Sequence, residues 1–152
     1  MPAASTAPAF GCTCARLRKL ARRVTRIYDA HLAPQALKVT QYSLLANAAR
    51  AERAMSEFAA ELEMDRSTLS RNLAPLAAQG WVEVSVGADP RSRSIRVTAA
   101  GRRKLKAALP LWRRAQREVE SILGNAFVGK LHDEIDHALD ALPAEHSRGK
   151  PA

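Results

Sequence analysis

The sequence predicts a mainly α-helical fold with one small β-wing, on three observations. Apolar residues recur at three- and four-residue intervals through two long stretches, Leu17 to Tyr28 and Leu105 to Leu142, and through shorter ones between them. Trp81 to Val86 and Ser94 to Val97 alternate apolar and polar residues around the turn residues Gly87, Asp89 and Pro90, the pattern of a half-buried hairpin. That hairpin follows directly on a helix-like segment, Met64 to Leu73, whose polar residues outnumber its apolar ones. A polar helix, a glycine and an arginine-tipped hairpin in succession make a winged helix-turn-helix.

Element by element, Leu17, Leu20, Val24, Ile27 and Tyr28 mark a long amphipathic helix beginning near Cys14, its arginines lying mainly on the other face. Pro34 breaks it. Thr40 is expected to cap a second helix with Tyr42, Leu44, Leu45 and Ala48 buried, and Ser56 to cap a third, Ser56 to Leu62, with Phe58, Ala59 and Leu62 inward. In the next helix Leu69, Leu73 and Leu76 or Ala77 turn inward and leave Arg66, Ser67, Thr68, Ser70, Arg71 and Asn72 outside. Gly80 ends it as a residue with free access to left-handed backbone. Thr98 caps a last long helical region, in which Pro110 removes one backbone donor and is expected to kink the helix. A final helix runs from Phe127 to Leu142.

The domain reading follows: a disordered tail over 1–11, an N-terminal dimerisation helix over 12–36, a DNA-binding lobe over 37–98, C-terminal dimerisation helices over 99–142 and a loose tail over 143–152. The outer helices carry more apolar stripe than so small a lobe can bury. They are therefore expected to bury one another across a two-fold axis, as a homodimer.

Charge points to the partner. The 152 residues carry a net charge of +9, which calls for a polyanion, and double-stranded DNA is the commonest one for a folded domain. Only 5% of the residues are aromatic, too few for the stacking platforms of single-strand RNA binders. No run is apolar enough to span a bilayer and Met1 to Phe10 lacks the plan of a secretory signal, so a cytoplasmic protein with no membrane partner is expected. No base stands in sequence where it would activate a cysteine nucleophile, and no phosphate loop or cofactor motif is present, so an enzyme and a cofactor are not expected. Two rival readings stay open: an architectural protein that binds DNA without a signal, and a Cys14-dependent thiol enzyme.

The order of elements, with Asp89-x-Arg91 in the hairpin and Val97-Thr98-x-x-Gly101 after it, resembles the MarR family of bacterial transcriptional regulators over residues 14–142. The resemblance implies a dimer, usually a repressor, that binds a pseudo-palindromic operator and releases it when a small molecule or an oxidant reaches the protein. It also implies roles. Arg66, Ser67, Thr68, Ser70 and Arg71 would meet the major groove and phosphates, Arg91 and Arg93 a minor groove, and Asp89 would orient those arginines.

Cys12 and Cys14 admit three readings. Cys14 is similar in position to the reactive cysteine that hydroperoxide-sensing members of that family carry early in the first helix, with Tyr28 retained but Arg18 one turn on. The thiols otherwise serve as packing, or as soft-metal ligands too few without a partner subunit. His132 and His137, five apart, are off the spacing of a helical metal pair, and no metal is expected. Tyr28 and Trp112 mark either a buried core or a pocket for a small aromatic effector.

Overall fold

The computed structural model describes residues 11–87, 89 and 92–144. The expectations for the two tails beyond those limits, and for Pro90 and Arg91 at the wing tip, lie outside the described residues. Six helices and a three-stranded antiparallel sheet occur among those described: α1 Thr13–Leu32, α2 Val39–Ala48, β1 Arg53–Ala54, α3 Met55–Glu61, α4 Arg66–Ala78, β2 Val82–Val86, β3 Arg93–Val97, α5 Ala99–Leu123 and α6 Asn125–Ala141. A 3-10 turn, Ala33–Gln35, separates α1 from α2 at Pro34.

One core holds the lobe together. Leu44, Leu45 and Ala48 of α2, Phe58 and Ala59 of α3, Leu69, Leu73 and Leu76 of α4, and Val82, Ile95 and Val97 of the hairpin are all buried in one cluster. In α4 those leucines sit at intervals of four and three, so one face is fixed inward and the polar residues are forced out. A second cluster, Tyr28, Ala115, Val119 and Val128, ties α1, α5 and α6. Leu32, Leu37, Tyr42 and Ala108 form a third, where α1 and α5 meet α2.

Two helix starts differ from expectation. Helix α2 begins at Val39 rather than after Thr40, because its first amides are met from elsewhere: the Val39 N–H donates to Asp29 Oδ1 at 2.7 Å and the Lys38 N–H to Gln41 Oε1 at 3.0 Å. Helix α3 begins at Met55, before Ser56, and the preceding Ala54 N–H donates to Glu57 Oε2 at 3.4 Å. Neither Thr40 nor Ser56 is the capping residue. Helix α5 continues through Pro110 as a single element.

The strand β1 has no counterpart in the sequence reading. Its two residues pair with Ile95 and Ser94 on the outer side of β3, giving the order β1-β3-β2. The β2 alternation is present in sequence but does not divide inside from outside: Val82 is buried, whereas Val84 and Val86 are exposed. Beyond Val82 the hairpin has left the lobe, so nothing covers that face within the chain.

Candidate nucleic-acid interface

Helix α4 is held by both ends. At its start Asp65 Oδ1 accepts from the Thr68 N–H at 2.8 Å, and Asp65 Oδ2 accepts from Thr68 Oγ1 at 2.6 Å. These two bonds, led by the side-chain one, hold the Asp65 carboxyl below its ordinary pKa, and the Arg71 guanidinium acts in the same direction. At its end Gly80, at φ +69°, closes a Schellman turn: its N–H donates to Ala77 O and the Trp81 N–H to Leu76 O, both at 2.9 Å.

Between those caps Arg66, Ser67, Ser70 and Arg71 are exposed, while Thr68 is half-buried. Arg66 and Ser70, and Ser67 and Arg71, are four residues apart and make two adjacent rows on one face. The helix N-terminus adds free amides and a partial positive charge there, which suits a phosphate or an acceptor-rich groove edge. Thr68 has a different position from its neighbours. Its hydroxyl donates to Asp65 and accepts from Arg71 Nη2 at 3.3 Å, so it links cap to guanidinium.

The hairpin next to α4 is anchored at its base and tied near its tip. At the base the Thr98 N–H donates to Trp81 O at 3.0 Å, and Thr98 Oγ1 donates to Gly80 O at 2.6 Å and accepts from the Gly101 N–H at 3.0 Å. One threonine thus closes the end of α4, the hairpin and the start of α5. Gly101 is part of the same joint, since a Cβ there would lie 2.1 Å from Trp81 O and 2.8 Å from Val97 Cγ1. Toward the tip the Gly87 N–H donates to Ser92 O at 3.0 Å, and the Ser92 N–H and Oγ both donate to Asp89 O, at 2.9 and 2.8 Å. Arg93 is exposed opposite Val86, and Arg96 pairs across the strands with Glu83.

Structure thus brings Arg66, Ser67, Ser70 and Arg71 together on α4 and sets Asp89 and Arg93 on the hairpin; Arg91 lies outside the described residues. The sequence reading gave no role to Asp65, although an aspartate just ahead of a helix is a capping signal, nor to Arg53, which is paired with Glu61 and lies over the Phe58 ring at 5.2 Å. Arg53 shows its role only through its partners.

The remaining candidates are elsewhere. Cys12 and Cys14 are both free and exposed at the start of α1, so neither thiol packs within the chain. Tyr28 and Trp112 pack together with ring centroids 6.1 Å apart, and Tyr42 stacks on the other side of Trp112 at 6.0 Å and 18°. The Tyr28 hydroxyl donates to Gln116 Oε1, and burial, then the Glu120 charge, push its pKa up. Burial also raises that of Tyr42, against the lowering effect of Arg113. His31 Nε2 is 2.6 Å from Glu118 Oε2, joining α1 to α5. Among the described residues no cluster of three or more His, Cys, Asp or Glu could hold a metal ion, and no helix is long and apolar enough to cross a membrane.

Residues 37–92 match the model of the MarR family. No curated protein matches the chain. Among solved structures, the Mycobacterium tuberculosis transcriptional regulator MosR in complex with DNA is 39% identical, with 86% of this chain and 97% of that one covered and a TM-score of 0.74. A cysteine-to-serine variant of MarR from E. coli, complexed with operator DNA, shares the fold at 22% identity, covering 83% of this chain and 92% of that one, with a TM-score of 0.75. CouR from Rhodococcus jostii bound to p-coumaroyl-CoA does so at 20% identity, with 88% and 92% covered and a TM-score of 0.68. A capped polar helix beside an anchored arginine hairpin, the family match over that lobe and the identity to MosR along nearly its whole length agree: this chain belongs to the MarR family of transcriptional regulators.

Proposed function

We propose that the chain is one subunit of a homodimeric repressor that binds a pseudo-palindromic operator in double-stranded DNA and is released by a small molecule or by thiol oxidation. The observation that carries this reading is the exposed Arg66, Ser67, Ser70 and Arg71 face of α4, rigidly capped at Asp65 and Gly80 and set beside the Thr98-anchored hairpin. Arg71 suits bidentate readout of a guanine edge, Ser67 and Ser70 suit phosphates or base edges, and Arg91 and Arg93 suit a minor groove. Thr68 acts through Asp65 and Arg71 as a positioning residue. Relatives bound to DNA support the same partner.

Dimerisation is supported by what the single chain leaves uncovered. Leu17 in α1, Ile122 at the end of α5, and Phe127, Ile135, Leu139 and Leu142 along one stripe of α6 and its end are all exposed. Residues 12–36 and 99–142 then form the dimerisation helices and 37–98 the reading lobe, with 1–11 and 143–152 as tails. Two lobes carried on one helical platform must match the spacing of two half-sites. A signal that favours another spacing shifts the population away from DNA, and a preference of about 2.7 kcal/mol weakens binding about a hundredfold. We place this regulator in the cytoplasm.

Release by oxidation is supported by the exposure of Cys12 and Cys14, and release by a ligand by the aromatic junction of Tyr28, Tyr42 and Trp112, where the lobe meets the platform. The test is the affinity of the reduced protein for duplex DNA from its own upstream region, before and after one equivalent of an organic hydroperoxide. Tight binding that the peroxide abolishes, except in Cys14→Ser, establishes the thiol route. Binding unchanged by peroxide rejects it in favour of the ligand route, and no binding of the reduced protein rejects the operator reading itself.

A further inference from the structure

We infer that a second effector site lies in the reading lobe itself: an open cleft of about 520 Å³ between α2 and α4, built to take a small apolar monocarboxylate on Arg71. It is not the Tyr28–Trp112 junction, since neither residue lines it. Its volume is that of a cleft that takes ligands of drug-like size. Leu44 and Val39 of α2, Leu62 and Met64 of the turn before α4, and Pro75 give it an apolar lining.

The charges in that lining have one sign. Lys38 and Arg71 are its ionised residues, and no carboxylate lines it. Lys38 Nζ already has Asp29 Oδ2 at 3.5 Å, whereas the contact shown for Arg71 is a single nitrogen, Nη2, on the neutral Thr68 hydroxyl at 3.3 Å. A guanidinium has five N–H donors in a fixed fork, so an exposed Arg71 retains capacity for a bidentate carboxylate. Asn72 adds a further donor, for its Nδ2 meets only the weak sulfur acceptor of Met64, at 4.0 Å. An apolar body seated against Leu44 and Leu62 with its anion on Arg71 satisfies both halves of the cleft.

The consequence for DNA rests on the proposed interface, because the residue that would hold the carboxylate is the one that would read the groove. Ligand and operator then exclude one another at Arg71, with no change in the spacing of the lobes. Ligand at ten times its Kd should raise the operator Kd at least about tenfold.

Calorimetry with 2-naphthoate and its neutral counterpart 2-naphthalenemethanol tests the site on the full chain. The acid is expected to bind at least tenfold more tightly than the alcohol, Arg71→Gln to erase that preference, and Ser43→Phe, which fills the cleft from an exposed position, to abolish binding while keeping the wild-type circular dichroism and operator affinity. No binding of the acid, equal binding of acid and alcohol, or undiminished binding to Ser43→Phe overturns the site. Binding of the acid with no loss of operator affinity overturns the competition. A chain that binds no operator even without ligand refutes the repressor reading, and the calorimetry still decides the site.

Discussion

Replacing Gly101 with alanine sets two known effects against each other, and the structure decides the sign. Within a helix the change ordinarily stabilises by up to about 1 kcal/mol, because alanine loses less backbone entropy. At Gly101 the new Cβ would lie 2.1 Å from Trp81 O, 3.0 Å from Trp81 C and 2.8 Å from Val97 Cγ1. Two of those atoms are backbone, so no rotamer change relieves the clash; α5 has to move off the hairpin by about 1 Å. That movement stretches the Thr98 bonds to Trp81 O and Gly80 O, each worth about 1 kcal/mol, on top of about 1 kcal/mol of overpacking. The net expectation is a loss of about 2 kcal/mol, or about 4–8 °C in Tm for a chain of this size.

Gly129 in α6 provides the control. A Cβ there meets nothing within 4 Å, and the position lies at helical spacing from Asp133, Asp136 and Asp140, away from the apolar stripe. Gly129→Ala should therefore stabilise by about 0.5–1 kcal/mol. Urea unfolding of both variants and the wild type at one protein concentration compares them directly. A Gly101→Ala protein as stable as Gly129→Ala would refute the close approach between α5 and the hairpin, and with it the account of the wing's anchorage.

Other perturbations follow from the same geometry. Glu63 sits at φ 50° where α3 ends in a Schellman turn, so Glu63→Gly should stabilise by about 0.5–1 kcal/mol, read as a raised urea midpoint. Asp65 has a depressed folded pKa, so its cap contributes in full above about pH 4, its unfolded value, and is lost as pH falls through the folded one; the acid limb of a stability profile should shrink in Asp65→Asn. Tyr28 is shifted the opposite way, so its contribution is present below about pH 10 and lost as pH rises through its folded pKa; Tyr28→Phe should flatten that alkaline limb.

What was legible in the sequence was local. The leucine spacing of α4, the glycine that ends it, the Thr98 cap and the alternation of Ile95 and Val97 each depend on residues within one turn or one strand of one another, and each is met in the structure. The misplaced helix starts depend on distance instead. Asp29, ten residues ahead, takes the first amide of α2, so a threonine at the expected place was not needed as a cap. Likewise β1 is two residues long and exists only because Ile95 and Ser94 lie beside it.

The candidate interface divides the same way. Arg66, Ser67, Ser70 and Arg71 could be read as an outward face because the buried face fixes its complement. That Thr68 would be held between Asp65 and Arg71, half-buried, could not, since a side-chain contact is not a periodicity. Exposed Val84 and Val86 show the same limit: an alternating strand tells which residues share a face, not whether anything covers it.

The most direct measurement is fluorescence anisotropy of the upstream duplex titrated with wild type and with Arg71→Ala, at two salt concentrations and over single-base variants of each half-site. The account predicts that Arg71→Ala weakens binding by about 1–3 kcal/mol per half-site and erases discrimination at one symmetric pair of positions. Unchanged affinity and unchanged base preference in Arg71→Ala would contradict the assignment of α4 as the reading helix.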